Sequence, residues 1–226
     1  MFNIKVISRG AAFLGAAILG MAGTANAGTI PYPTPGTPIT LSSYDFVAAS
    51  TGQINGYFDA QSAGDTDYVA MFGYVGGVWI DLTGCQGASI TVGGNCYDFE
   101  NHATGQGTEI SFGNVTAGEQ IKFVGYNSGT GSFLSSVASD NGDGYNHFYS
   151  TSVAAGQAYP GSPAGIYMGL EDLLAQQGSD FDYNDDEYVF TNVQAQLVPE
   201  PDSLALIGTA LIGFGGWRLR RRKKSS

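Results

Sequence analysis

Positive charge is almost missing from the middle of this 226-residue chain. Between Gly28 and Val198 the only base is Lys122, whereas 18 of the 20 acidic residues lie there, a net of −17 in that stretch against −11 for the whole sequence. Such a surface repels phosphate backbones and anionic membranes. That excludes nucleic-acid binding and leaves cations, basic partners and neutral sugars. Histidine is limited to His102 and His147, and cysteine to Cys85 and Cys96; neither histidine stands at a spacing that would build a metal site with the cysteines. Also missing are a G-x-S-x-G elbow, an H-E-x-x-H helix, a phosphate-binding loop and any Cys/His catalytic pairing. No repeat of fixed period is present, which excludes a solenoid or propeller. With 43% apolar, 12% aromatic and only 13% charged residues, the chain can bury the core of one domain and is not of disordered composition.

The two ends differ from this body. Lys5 and Arg9 precede an apolar run at 11–22 and then Ala25-Asn26-Ala27. A positive start, a short apolar core and an A-x-A site predict a secretory signal peptide over residues 1–27, the alternative being an N-terminal membrane helix for which the run is short. Residues 28–38 hold Pro31, Pro33, Pro35 and Pro38 and are expected to form an extended leader. At the other end come Pro199-Glu200-Pro201, an uncharged Gly-rich stretch at 203–217 and the basic run Arg218, Arg220, Arg221, Arg222, Lys223 and Lys224. That order predicts one C-terminal transmembrane helix held from the cytoplasmic side.

Residues 198–226 resemble the PEP-CTERM sorting signal of Gram-negative bacteria, with Pro199, Glu200 and Pro201 as the motif. The resemblance implies export across the inner membrane and handling by signal peptidase and by exosortase, a membrane transpeptidase whose genes accompany exopolysaccharide production. A membrane-anchored precursor that ends at the cell surface or in the extracellular matrix is expected.

The exported body, residues 39–197, alternates short apolar and β-branched runs with Gly, Asn, Asp and Ser. The runs fall at 39–48, 53–58, 68–74, 78–82, 89–92, 108–112, 120–126, 132–137, 146–150 and 187–194. This spacing predicts an all-β fold, an antiparallel β-sandwich or jelly roll, with a single short helix at 170–177. Cys85 and Cys96, an even pair among glycines in an exported chain, read as a disulfide closing a hairpin loop, with two free thiols as the alternative.

The densest polar segment is Gly169-Leu170-Glu171-Asp172 followed by Gly178-Ser179-Asp180-Phe181-Asp182-Tyr183-Asn184-Asp185-Asp186-Glu187. Carboxylates this close repel unless solvated, protonated or bound to a cation, and an all-oxygen set without thiolate or imidazole favours Ca²⁺. The spacing is not that of an EF-hand, because Asp185 and Thr191 stand where its glycine and final glutamate would be. A solvated acidic loop remains the alternative. The segment is similar to the G-F-E-D … S-D-x-D-[YF]-N-D signature of a bacterial surface domain of unknown function, with Leu170 in place of the aromatic. Upstream, Asn141, Gly144 and His147 loosely match that domain's Asn-x-x-Gly-x-x-His element. The resemblance implies calcium binding through Glu171, Asp172, Asp180, Asp182, Asn184 and Asp185.

Together these features lead us to expect a non-catalytic, calcium-stabilised surface or matrix protein. A carbohydrate-binding module for extracellular polysaccharide is the alternative, which exposed aromatics near Trp79, Tyr97 or Tyr145 would favour, and a secreted hydrolase comes third. Intact mass of the exported protein should show a chain beginning near Gly28 and lacking the residues after Pro201 in an exosortase-bearing host. Retention of Met1 or Ser226 in that exported form would overturn this processing scheme.

Overall fold

The computed structural model describes residues 44–197; the expected signal peptide, leader and sorting signal, with its span at 203–217, lie outside the described residues. The strands are β1 (Tyr44–Ala48), β2 (Gly52–Gln61), β3 (Asp67–Val75), β4 (Val78–Asp81), β5 (Ile90–Val92), β6 (Asn95–Tyr97) and β7 (Glu109–Val115), then β8 (Gln120–Asn127), β9 (Ser132–Ser135), β10 (Phe148–Val153), β11 (Gly165–Leu170), β12 (Asp186–Phe190) and β13 (Val193–Leu197). Every pairing between them is antiparallel. A six-stranded sheet runs β13-β1-β8-β3-β4 with β9 also on β8, and a five-stranded sheet runs β10-β11-β12-β2-β7.

These sheets face one another across a single apolar core, a sandwich-like arrangement. Strand alternation explains which side chains meet there. In β3, Val69 and Met71 enter the core, whereas Tyr68, Ala70 and Phe72 point to the outer face. From β8, Phe123 enters and meets Phe190 of β12 with ring centroids 4.6 Å apart, joining the two sheets directly. Gly56 of β2 lies beneath this aromatic layer, and a Cβ there would come within 2.8 Å of both Phe112 and Phe190.

A small third sheet, β5 paired with β6, lies over the outer face of the six-stranded sheet, where Tyr97 packs with Tyr68, Phe72 and Val124. Cys85 and Cys96 are disulfide-bonded with a Cα separation of 5.3 Å. Asp81 of β4 accepts the Cys96 N–H at 2.7 Å, and Asp98 accepts the Gln86 N–H at 2.8 Å, so carboxylates hold the hairpin from both sides of the bridge.

Two expectations are corrected. The stretch 170–177 is not a helix: Leu170 ends β11, and only Ala175–Gln177 forms a 3-10 turn, closed by Gly178 in the left-handed conformation. Leu170 is fully buried and pairs with Asp186, so sheet register overrides local helical preference. The run 187–194 is two strands rather than one. Asn192, at φ 60°, turns the chain out of one sheet and into the other, and its side chain secures the turn against Ser50 and Gln53. β11 escapes pattern reading because it is almost wholly buried and shows no alternation.

Thiol labelling of the denatured, unreduced protein should find no free thiol. Replacing both cysteines by alanine should lower unfolding stability by about 3 kcal/mol, as loop-entropy reasoning gives for a loop of this order; an unchanged denaturation midpoint would show that the bridge does not restrain the unfolded chain.

Candidate metal centre

The register Leu170↔Asp186 between β11 and β12 decides where the acidic segment goes. Because neighbouring strands end and begin side by side, residues 171–185 form a loop whose two ends touch, bringing Glu171 and Asp172 back against Asp185 and Asp186. The Asp172 N–H donates to Asp185 Oδ2 at 2.9 Å. Across the sheet pairing, Ser62 and Ala63 N–H groups, just past β2, donate to the Asp185 carbonyl at 2.9 and 3.2 Å.

Inside the loop Phe181 and Tyr183 both adopt left-handed backbone, φ 51° and 57°, which is costly for bulky residues. Packing holds them there. Tyr183 is fully buried and donates its hydroxyl to the Asn146 carbonyl at 3.1 Å; Phe181 packs against Tyr145 and His147. With the aromatics turned inward, Asp180 and Asp182 face Glu171. Two sets of carboxylates then have oxygens within 4.8 Å of one another, Glu171 with Asp172 and Asp185, and Glu171 with Asp180 and Asp182. Glu171 is common to both. Beside them the Asn184 amide donates to Asp182 and its side-chain oxygen accepts from the Ser62 hydroxyl, so Asn184 also orients a neighbour.

The site opens as a hollow of about 260 Å³ lined by Asp65, Glu171, Asp172, Asp180 and Asp185. Sequence reasoning missed Asp65, which reaches the hollow from the β2–β3 connection, and Asp67, the fully buried first residue of β3. Asn127, at the end of β8, donates to Asp65 and to Asp172 at 3.2 Å each, and Asn101 donates to Asp67 at 3.3 Å. No local signal marks these residues, since they are remote in sequence from the acidic run and come together only through sheet pairing.

Burial is the leading cause of the titration behaviour. It pushes Glu171 up to about 7, against partial stabilisation by Ser179 and the Tyr183 backbone. It raises Asp172, Asp182 and Asp185 as well, with neighbouring carboxylates adding to the effect at Asp182 and Asp185. Beneath them Asp67 and Asp186 are raised furthest, by burial first and then by neighbouring carboxylates, Asp186 and Asp172 at Asp67 and Asp185 and Asp172 at Asp186. Asn101 and Tyr188 approach Asp186 without completing a bond to either of its oxygens. Glu171, 1% exposed, has an Oε2 with no hydrogen-bond partner. A buried carboxylate oxygen left without a donor is costly unless it is protonated or meets a cation.

His147 borders the site but both nitrogens are engaged. Nδ1 lies 3.1 Å from the Glu171 carbonyl and Nε2 3.1 Å from Asp143 Oδ2. Asp143 also accepts the Ala175 N–H at 2.9 Å and the Tyr145 N–H at 3.1 Å, so the Asn141-to-His147 element serves as a clamp that fixes both the start of the loop and its 3-10 turn. Burial opposes ionisation of Asp143, but these backbone donors and His147 outweigh it and lower its pKa. Burial likewise lowers His147, against the opposing pull of Asp143.

Residues 197–222 match the PEP-CTERM protein-sorting motif. The chain carries a PEP-CTERM sorting signal. The motif indicates exosortase-dependent sorting of an exported protein to the cell surface, with its C-terminus associated with the membrane. No curated protein and no solved structure matches the chain.

The raised carboxylates make the metal-free domain lose stability as pH rises. Each binds its proton more tightly folded than unfolded, so its contribution is complete below about pH 4 and is lost as pH climbs toward about 7 for Glu171. Asp143 and His147 act in the opposite sense and are outnumbered. Thermal melts in EDTA should therefore show Tm falling between pH 5 and pH 7; a rise over that interval would refute this account of the buried acids.

Proposed function

We propose that the described domain is a non-catalytic surface or extracellular-matrix protein whose fold is braced by Ca²⁺ at the β11–β12 loop. It is sorted by exosortase to the envelope of a Gram-negative cell that makes exopolysaccharide. The observation that carries the calcium reading is Glu171. Its buried, unpartnered Oε2 sits between two further carboxylate pairs, and a hard divalent cation would satisfy that oxygen while relieving the repulsion around it. The donors are all oxygens, from Glu171, Asp172, Asp180, Asp182 and Asp185, which suits Ca²⁺ better than a thiophilic or imidazole-seeking metal. Bound there, the ion would tie the end of β11 to the start of β12 and stiffen the loop held by His147. A non-catalytic role is supported by the engagement of both His147 nitrogens and by acids that face one another across a small hollow.

Melting temperature should rise with free calcium, with stabilisation approaching about 2.7 kcal/mol at a hundredfold excess over Kd. The gain should be larger at pH 7 than at pH 5, because the ligands must shed protons to bind. Asp180→Asn with Asp182→Asn should abolish most of the shift. Superimposable wild-type melts in EDTA and in millimolar calcium would defeat the proposal.

A further inference from the structure

A second hollow, of about 380 Å³, lies on the outer face of the six-stranded sheet, beside the β5–β6 hairpin, whose Asn95 and Tyr97 line it. Its apolar walls are rings held in place by neighbours. Trp79 of β4, 38% exposed, packs against Tyr74 across the strand pair with centroids 5.0 Å apart, and Lys122 Nζ lies 4.8 Å from its ring centre. Phe133 of β9, 47% exposed, is supported by Tyr126 at 5.1 Å and Tyr97 at 5.9 Å. Large aromatics left this open on a well-packed domain, yet restrained in orientation, are contact surfaces of low entropic cost.

The polar lining has a distinct character. Lys122, the only base between Gly28 and Val198, pairs with Asp140 at 3.0 Å. Ser135 Oγ reaches the same carboxylate at 3.4 Å, and Asn95 also lines the hollow. An ammonium has three donors and a carboxylate several acceptor positions, so the pair retains both kinds of valence for a ligand while presenting no net charge. The acidic body around it repels polyanions, and an electroneutral lining offers no counter-charge to hold one.

We infer that this hollow binds a neutral polysaccharide, with Trp79 and Phe133 taking the C–H faces of sugar rings and the Lys122–Asp140 pair with Asn95 taking their hydroxyls. A sugar ring combines an apolar face with a rim of groups that both donate and accept. The hollow offers the complement of each, rings for one and a charge-balanced pair for the other. The site shares no residue with the acidic loop, so it stands or falls independently of the calcium reading.

Native affinity electrophoresis of the exported protein, with millimolar calcium throughout, tests this in gels containing dextran, galactomannan, mixed-linkage β-glucan or alginate. At least one neutral polymer should retard the protein and alginate should not. Trp79→Ala and, separately, Phe133→Ala should each weaken retardation by about tenfold or more while leaving the calcium-dependent Tm shift at its wild-type size. Three results would overturn the inference: no retardation by any of the neutral polymers, retardation by alginate alone, or retardation that survives both substitutions. Concentration-dependent dimerisation abolished by Trp79→Ala, without polymer binding, would reassign the face to self-association.

Discussion

The organisation of this domain depends on carboxylates confined to one end of a β-sandwich. Glu171, Asp172 and Asp185 lie at the two ends of the loop joining adjacent strands, Asp186 begins the second of those strands, and Asp67 approaches from the facing sheet. Like charges at such distances cannot all ionise in a space that excludes water, so the cluster divides by depth. Burial pushes Asp67 and Asp186 at the base furthest toward the protonated form, while Glu171 and its neighbours toward the opening sit where a proton or a cation can serve. Asn101 and Asn127 contribute neutral donors, restraining the carboxylates without adding charge.

This arrangement requires a rigid frame. The Asn141–His147 element clamps the loop through Glu171 and Ala175, and buried Tyr183 and Phe181 hold two left-handed backbone positions that would not persist in a free loop. Next to the site, β2 and β12 shift register between Glu187 and Tyr188, leaving Asp59 as an extra residue opposite the break. Such an irregularity beside Asp186 lets β12 deliver a carboxyl at its start and the core aromatics Tyr188 and Phe190 further along. The core and the acidic end are thus continuous, since Tyr188 packs on Phe58 and Phe99 while its hydroxyl approaches Asp186.

The outer face of the six-stranded sheet shows the other use of a sheet face. Where the acidic end concentrates one charge, the outer face of the six-stranded sheet pairs the lone body base with Asp140 and surrounds it with aromatics. The disulfide matters to this side, because it anchors the hairpin that places Tyr97 under Phe133 and leaves Trp79 uncovered. Sorting information occupies a separate stretch at the C-terminus. It directs the domain's destination and specifies nothing of its surface chemistry.

The sequence by itself determined the properties that reside in composition and short-range order. The sorting signal was legible because it is read as a linear motif, the all-β class because Gly- and Asn-punctuated alternation reflects the two-residue period of a strand, and the cysteine pairing because only two cysteines exist. The acidic loop was conspicuous for the same reason, its members being near neighbours in the chain. Tertiary structure alone decided the rest. It turned 170–177 from an expected helix into a strand end and a 3-10 turn, because buried pairing of Leu170 with Asp186 outweighs local propensity. It split 187–194 at Asn192, whose left-handed turn moves the chain between sheets. It also recruited Asp65, Asp67, Asn101 and Asn127 to the acidic end, since sheet register places residues that are distant in sequence side by side.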